Sequence, residues 1–274
     1  MQSSRNLLLA GCVLLLSACA GTNVDPNDPG VQGNYFGAAM GDGFREMAAN
    51  QSVDQGPLGA KPTGYSTTVC PGTTIQRGLD VSYYQGTINW SSVKSAGKQF
   101  VFIRVSDGTG FVDPNFGTYW AGAKAVGLTV GAYQYFRPSG DPIAQADLMV
   151  NKIQAAGYAS TDIPPVIDVE TTEGLSASTV LSRVNSWLSR VQSRTGRQPV
   201  LYTSPGFWNS IGAPQPTPLP YLWVANWGVS CPTLPAPWGR LRFWQYTDTG
   251  TVSGVSGSVD LDEYNGSLTE MRSL

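Results

Sequence analysis

From Arg77 onward, short apolar runs alternate with amphipathic stretches, whereas the residues from Ala20 to about Thr74 hold neither a period of 2 nor one of 3.6. Such alternation is the mark of repeated β/α units, because a parallel strand is buried on both faces and each needs a helix to cover it. Eight runs predict strands: Gly78–Val81, Phe100–Val105, Thr129–Phe136, Pro165–Glu170, Val200–Thr203, Tyr221–Asn226, Leu241–Tyr246 and Val259–Leu261. The clearest helix is Ser178–Thr195, where Val180, Val184, Trp187, Leu188 and Val191 recur at helical spacing. Ser178 is placed to cap its start and Gly196 to stop it, with Arg190 and Arg194 near the end where the helix dipole favours cations. Helices are also predicted at Asn115–Val126 and Ile143–Ala156. No helical period separates the last three strands. The expected fold is therefore α/β, a modified, incomplete or flattened (β/α) barrel of TIM-barrel type in one domain.

The first residues carry a different message. Arg5, the apolar run Leu7 to Leu16 and the small pair Ser17-Ala18 read as an export signal, and the run is short for a membrane span. Leu16-Ser17-Ala18-Cys19 resembles the lipobox of bacterial lipoproteins, which implies that Cys19 is lipidated and becomes the first mature residue; an ordinary signal with a chance cysteine is the alternative. Several acyl chains on Cys19 would anchor the chain to a membrane, and Ala20 resembles the residue of lipoproteins sent to an outer membrane, facing the periplasm. The expected division is 1–18 signal, 19–74 a flexible Gly-, Asn-, Asp-, Pro- and Ser-rich tether, and 75–274 the folded domain. With Cys12 in the signal and Cys19 lipidated, Cys70 and Cys231 remain for an oxidising compartment and are expected to form a disulfide, two buried thiols being the alternative.

Composition narrows the chemistry. Charged residues are 13% of the chain and the net charge is -2, so no basic field exists to hold nucleic acid. With no histidine, Ser-His-Asp triads and the usual His/Cys zinc sites are excluded; no metal and no cofactor are expected, and acid–base work falls to carboxylates. Aromatics at 11% supply flat surfaces suited to core packing and to stacking on sugar rings. Barrels of this type carry reactive groups at the C-terminal ends of their strands, and Asp80, Asp168, Glu170 and Asp260 occupy such places. Asp168 and Glu170, two apart on one strand, face the same way. Two buried carboxyls that close push one pKa upward, leaving an acid beside an ionised partner, which is what glycosidic cleavage requires. Asp107, Asp113, Glu173 and Asp248 read as loop or turn residues.

In order along the chain, Arg77-Gly78-Leu79-Asp80-Val81-Ser82-Tyr83-Tyr84-Gln85-Gly86, Gly131-Ala132-Tyr133, Pro165-Val166-Ile167-Asp168-Val169-Glu170, Leu222-Trp223-Val224-Ala225-Asn226-Trp227, Phe243-Trp244-Gln245-Tyr246 and Val259-Asp260-Leu261-Asp262 resemble family 25 glycoside hydrolases, the Chalaropsis-type lysozymes. The resemblance covers Arg77–Gly266 and implies an N-acetylmuramidase that cuts peptidoglycan glycan strands, acting as a monomer. It further implies that Glu170 is the general acid, that Asp80, Asp168 and Asp260 complete the acidic site, and that Tyr83, Arg104, Tyr133, Trp227 and Gln245 line the sugar groove. Two positions depart from the family pattern: Gln134 stands where many members have histidine, and Arg104 where lysine is frequent. Two rival readings remain, a chitinase-like hydrolase of family 18, whose longer motif would need Asp at Ile163 and Val166, and a catalytically silent peptidoglycan-binding lipoprotein.

Overall fold

The computed structural model describes residues 66–274; the export signal, Cys19 and the tether up to residue 65 lie outside the described residues. Among the described residues there are eleven strands: β1 (Thr67–Thr68), β2 (Ile75–Val81), β3 (Phe100–Asp107), β4 (Phe111–Val112), β5 (Thr129–Tyr135), β6 (Val166–Asp168), β7 (Val200–Thr203), β8 (Tyr221–Ala225), β9 (Thr233–Leu234), β10 (Phe243–Gly250) and β11 (Val259–Asn265). The helices are α1 (Trp90–Ser95), α2 (Phe116–Ala125), α3 (Pro142–Ala155), α4 (Ala177–Thr195), α5 (Pro205–Ser210) and α6 (Leu268–Arg272).

Strands pair in the order β2-β11-β10-β8-β7-β6-β5-β3, and β3 pairs back onto β2, so the ring is a closed barrel rather than an incomplete one. All junctions are parallel except those of β11, which runs antiparallel to β10 and β2. That reversal removes the need for a helix between β10 and β11, while the parallel crossover from β8 to β10 is made by a connection that carries β9. An antiparallel neighbour is reached through a hairpin, whereas a parallel one needs a crossover. No helix lies between β8 and β10 or between β10 and β11, as the missing helical period predicts.

Alternation within each strand divides the core in two. On β3, Phe100 and Phe102 point into the barrel while Val101, Ile103 and Val105 point out to the helices, and all eight residues of the strand are buried. The inner cluster joins Phe100, Phe102, Tyr133, Val166, Tyr202, Trp223 and Phe243, with the Phe102 and Trp223 rings stacked at 4.0 Å. The outer cluster takes the apolar stripe of α4, including Val184, Trp187 and Val191. The barrel floor is thus sealed by aromatics, and the polar interior positions lie nearer its mouth.

Helix α4 starts earlier than the sequence suggests. Its cap is Ser176, whose extended backbone lets Oγ accept from the Thr179 N–H at 3.2 Å, not Ser178, which lies inside the first turn and hydrogen-bonds Ser176 Oγ. Gly196 ends the helix at φ 70°, a left-handed conformation that costs glycine nothing.

Residues 66–74, the last of the expected tether, are tied to the domain. β1 pairs antiparallel with β9, Val69 N–H donates to Pro232 O, and Cys70 and Cys231 form a disulfide with Cα atoms 4.4 Å apart.

Candidate active site

The C-terminal ends of the parallel strands bring Asp80 of β2, Arg104 of β3, Tyr133 and Tyr135 of β5, Asp168 and Glu170 of β6 and its extension, Tyr202 of β7 and Gln245 of β10 toward one mouth. β11 runs the other way, so its first residues reach the same place, and Asp260 lies in register with Asp80. The four acids chosen from the sequence are therefore on neighbouring or facing strands of one opening. Asp80, Asp168 and Glu170 are buried, and Asp260 is half-buried.

Asp168 is the least compensated of them. It is fully buried, and no N–H or hydroxyl donor among the described residues reaches either of its carboxyl oxygens. The group within hydrogen-bonding reach is the Glu170 carboxyl. Burial, and then the charge of Glu170, push Asp168 well above the usual carboxylate range. Two buried carboxyls so placed disfavour a second negative charge at Asp168, which no donor among the described residues would stabilise. The phenols of Tyr135 and Tyr202 stand close enough for the charges of Glu170 and Asp168 to add to their upward, mainly burial-driven shifts.

A second set of groups is organised by Gln245. Its Oε1 accepts from Tyr202 Oη at 2.8 Å and from Trp227 Nε1 at 3.0 Å. Those two donors fix the amide, so Nε2 must face the other way, where it donates to Asp80 Oδ2 at 2.8 Å. Burial pushes Asp80 up to about 7, against the lowering effect of hydrogen bonds from Gln245, Asp260 and Asp262.

Aromatic surfaces flank the acids. On one side the Arg104 guanidinium lies 5.2 Å from the Tyr83 ring centroid and 5.5 Å from those of Tyr84 and Phe111. Tyr83 and Tyr84 stack at 4.3 Å, and Tyr84 is 47% exposed. On the other side Trp227 extends past β8, next to the exposed Val229. Flat faces on either side of buried acids make a cleft suited to sugar rings.

Several residues differ from their sequence reading. Asp113 is buried: Oδ2 accepts from Arg104 Nε at 3.2 Å and from the Tyr83 N–H at 2.9 Å, so it sets the aromatic side of the cleft rather than solvating a loop. Asp107 ends β3 and accepts from Arg137 Nη2 at 2.7 Å; Glu173 does sit in a turn, as read from the sequence, and accepts from Arg137 Nη1 and from the Ser139 N–H. Asp248 lies half-buried on β10. Gln134, one of the two departures from the family pattern, faces the helix layer and accepts from Trp187 Nε1 at 2.8 Å. Tyr202, Tyr135 and Asp262 were not selected from the sequence. Asp262 shares Asp260's face by the same two-residue spacing, which was the available signal.

Comparison with known proteins agrees with this geometry. The family described as Glycosyl hydrolases family 25 matches residues 79–255. Lysozyme M1 of Streptomyces globisporus is 37% identical over 253 residues, covering 87% of this chain and 83% of that protein. The N,O-diacetylmuramidase of Chalaropsis sp. is 32% identical over 209 residues, 68% of this chain and 96% of the relative. Among solved structures, the bacterial lysozyme from Streptomyces coelicolor superposes with a TM-score of 0.67 at 36% identity, covering 74% of this chain and 98% of that one.

Proposed function

The chain belongs to glycosyl hydrolases family 25, and on that footing we propose that it is a lysozyme, an exported N-acetylmuramidase hydrolysing the β-1,4 bond between N-acetylmuramic acid and N-acetylglucosamine in peptidoglycan. The observation that carries this reading is the buried Asp168–Glu170 pair, in which Asp168 meets no donor and is pushed well above the carboxylate range by burial and by the charge of Glu170, so that we read the two carboxyls as sharing a proton. A shared proton supplies both of the forms that glycosidic cleavage uses in turn.

In the proposed reaction Glu170 carries the proton when substrate is bound and gives it to the leaving glycosidic oxygen. Asp168 then orients the N-acetyl group of the sugar, whose carbonyl oxygen attacks the anomeric carbon. Glu170, now a carboxylate, takes a proton from the incoming water, which opens the cyclic intermediate with net retention. Asp80 and Asp260 hold the opposite wall, and Tyr83, Arg104, Tyr133, Trp227 and Gln245 line the groove. Gln134, hydrogen-bonded to Trp187, has no part in it. The barrel is read as a modified (β/α) barrel of TIM-barrel type with its last strand reversed. Cys19 is proposed to carry a lipid anchor in the outer membrane, with residues 19–65 as the periplasmic tether.

The test is product identity. Purified peptidoglycan is digested and the new reducing ends are reduced with borohydride. The proposal expects muramitol derivatives; glucosaminitol would place the cut at the other bond, and no new ends would favour a silent binding module.

A further inference from the structure

Asp262 lies deeper in the barrel than the acids above. It is fully buried, and β11 places it opposite Gly78, one layer below the Asp80–Asp260 pair. Gly78 has no side chain to meet it; the Phe100 ring fills the space a Cβ would take there, 2.4 Å from that ring. Asp262 Oδ1 accepts from Trp223 Nε1 at 2.9 Å. Oδ2 is buried, and no N–H or hydroxyl donor among the described residues reaches it. Its neighbour within hydrogen-bonding reach is the Asp80 carboxyl, one oxygen of which already takes Gln245 Nε2. Two carboxyls in contact with no donor between them need a proton in the contact.

We propose that Asp262 is a positioning residue: as a neutral carboxylic acid it accepts from Trp223 through Oδ1 and donates through Oδ2–H to Asp80, holding that carboxylate in place at the mouth. The assignment rests on the lysozyme reading only in what Asp80 is held for. Every polar atom of Asp262 is satisfied this way, whereas with both carboxyls ionised Oδ2 would be buried without a donor. The charged and titratable groups facing it are Asp80 from β2, Lys98 from the turn before β3, and Tyr246 from β10. Lys98 is the one cation among these. Its Nζ is spent on Gly78 O at 2.9 Å, and burial lowers its own pKa. Burial and the Asp80 charge together push Asp262 well above the carboxylate range, against the pull of Lys98.

The neutral and ionised forms predict opposite signs. A donated hydrogen bond favours ionised Asp80, while a neighbouring negative charge opposes it. The Asp80 carboxyl is followed by carbon-13 NMR titration in the wild type, Asp262→Asn and Asp262→Leu, with thermal unfolding as the folding control. The asparagine amide can accept from Trp223 and donate to Asp80, so D262N should leave the Asp80 midpoint in place, whereas D262L should raise it. Turnover on peptidoglycan should stay within about threefold in D262N and fall on the order of tenfold or more in D262L, the loss expected for a hydrogen bond to a charged group. An Asp80 midpoint that falls in both variants means an ionised Asp262 and overturns the proposal, as does one that moves in neither. If D262L does not fold, D262N alone decides: an unmoved midpoint supports a neutral donor, a lowered one refutes it. A wild type that leaves peptidoglycan intact would refute the lysozyme reading, but the titration would still judge Asp262.

Discussion

Replacing Cys70 and Cys231 with serine opens a covalent loop closed across a sequence separation of 161 residues. Loop-closure entropy for a ring of that length sets a ceiling of about 5 kcal/mol on the stability lost. For a domain of this size that corresponds to a thermal midpoint lower by on the order of 10 °C. The bond also has a local role. It fastens β1 and β9 beside the connection that carries Trp227, and the Trp227 indole is one of the two donors that fix Gln245. Asn226 Oδ1, in the same connection, accepts from the Thr233 N–H at 2.8 Å. Loosening this segment should therefore weaken sugar binding more than bond cleavage, raising KM while kcat changes little. The assay pairs thermal unfolding, with and without a thiol reductant, with kinetics on soluble glycan strands. A midpoint insensitive to both reduction and the double substitution would refute the stabilising role. A collapse of kcat at constant KM would show that the staple acts on the acid pair instead.

Other consequences follow from the same geometry. Because burial raises Asp80 from 3.8 to about 7, its stabilising contribution is complete below the unfolded value and is lost as pH rises through 7, an effect of up to about 4 kcal/mol. Thermal midpoints should accordingly fall between about pH 4 and about pH 7, and Asp80→Asn should flatten that slope. Gln245→Leu removes the amide that accepts from Tyr202 and Trp227 and donates to Asp80, and should cost on the order of a hundredfold in kcat/KM, measured on glycan strands at fixed pH. Ser176→Ala should destabilise by about 1 kcal/mol in urea unfolding while Ser178→Ala stays within a few tenths, since only the first caps α4.

How much of this was legible beforehand depended on whether the cause was local. β3, β5 and β7 stood out because both faces of a parallel strand are buried and the sequence becomes a continuous apolar run. α4 stood out through its stripe, though its cap was misplaced because Ser176 and Ser178 are equally good cap residues and only backbone geometry separates them. The six-residue helices α1 and α5 are too short to show a period, and the reversed direction of β11 leaves no trace in a strand's own alternation. In the site, Asp168 and Glu170 declared themselves by spacing. Asp113 and Asp262 did not, because their burial is set by Arg104 and by Trp223, partners from other strands. The side that Gln134 faces is hidden for the same reason: Trp187, which holds it on the helix side, is far away in sequence.

The account depends most on Glu170 as the group that delivers the proton. Glu170→Gln keeps the side chain's size and its capacity to hydrogen-bond Asp168 but cannot give up a proton to a leaving oxygen. On purified peptidoglycan, with release of reducing ends as the readout, the variant should bind like the wild type and lose at least about a thousandfold in kcat. Near-normal turnover by Glu170→Gln would contradict the assignment and with it the division of labour between Asp168 and Glu170.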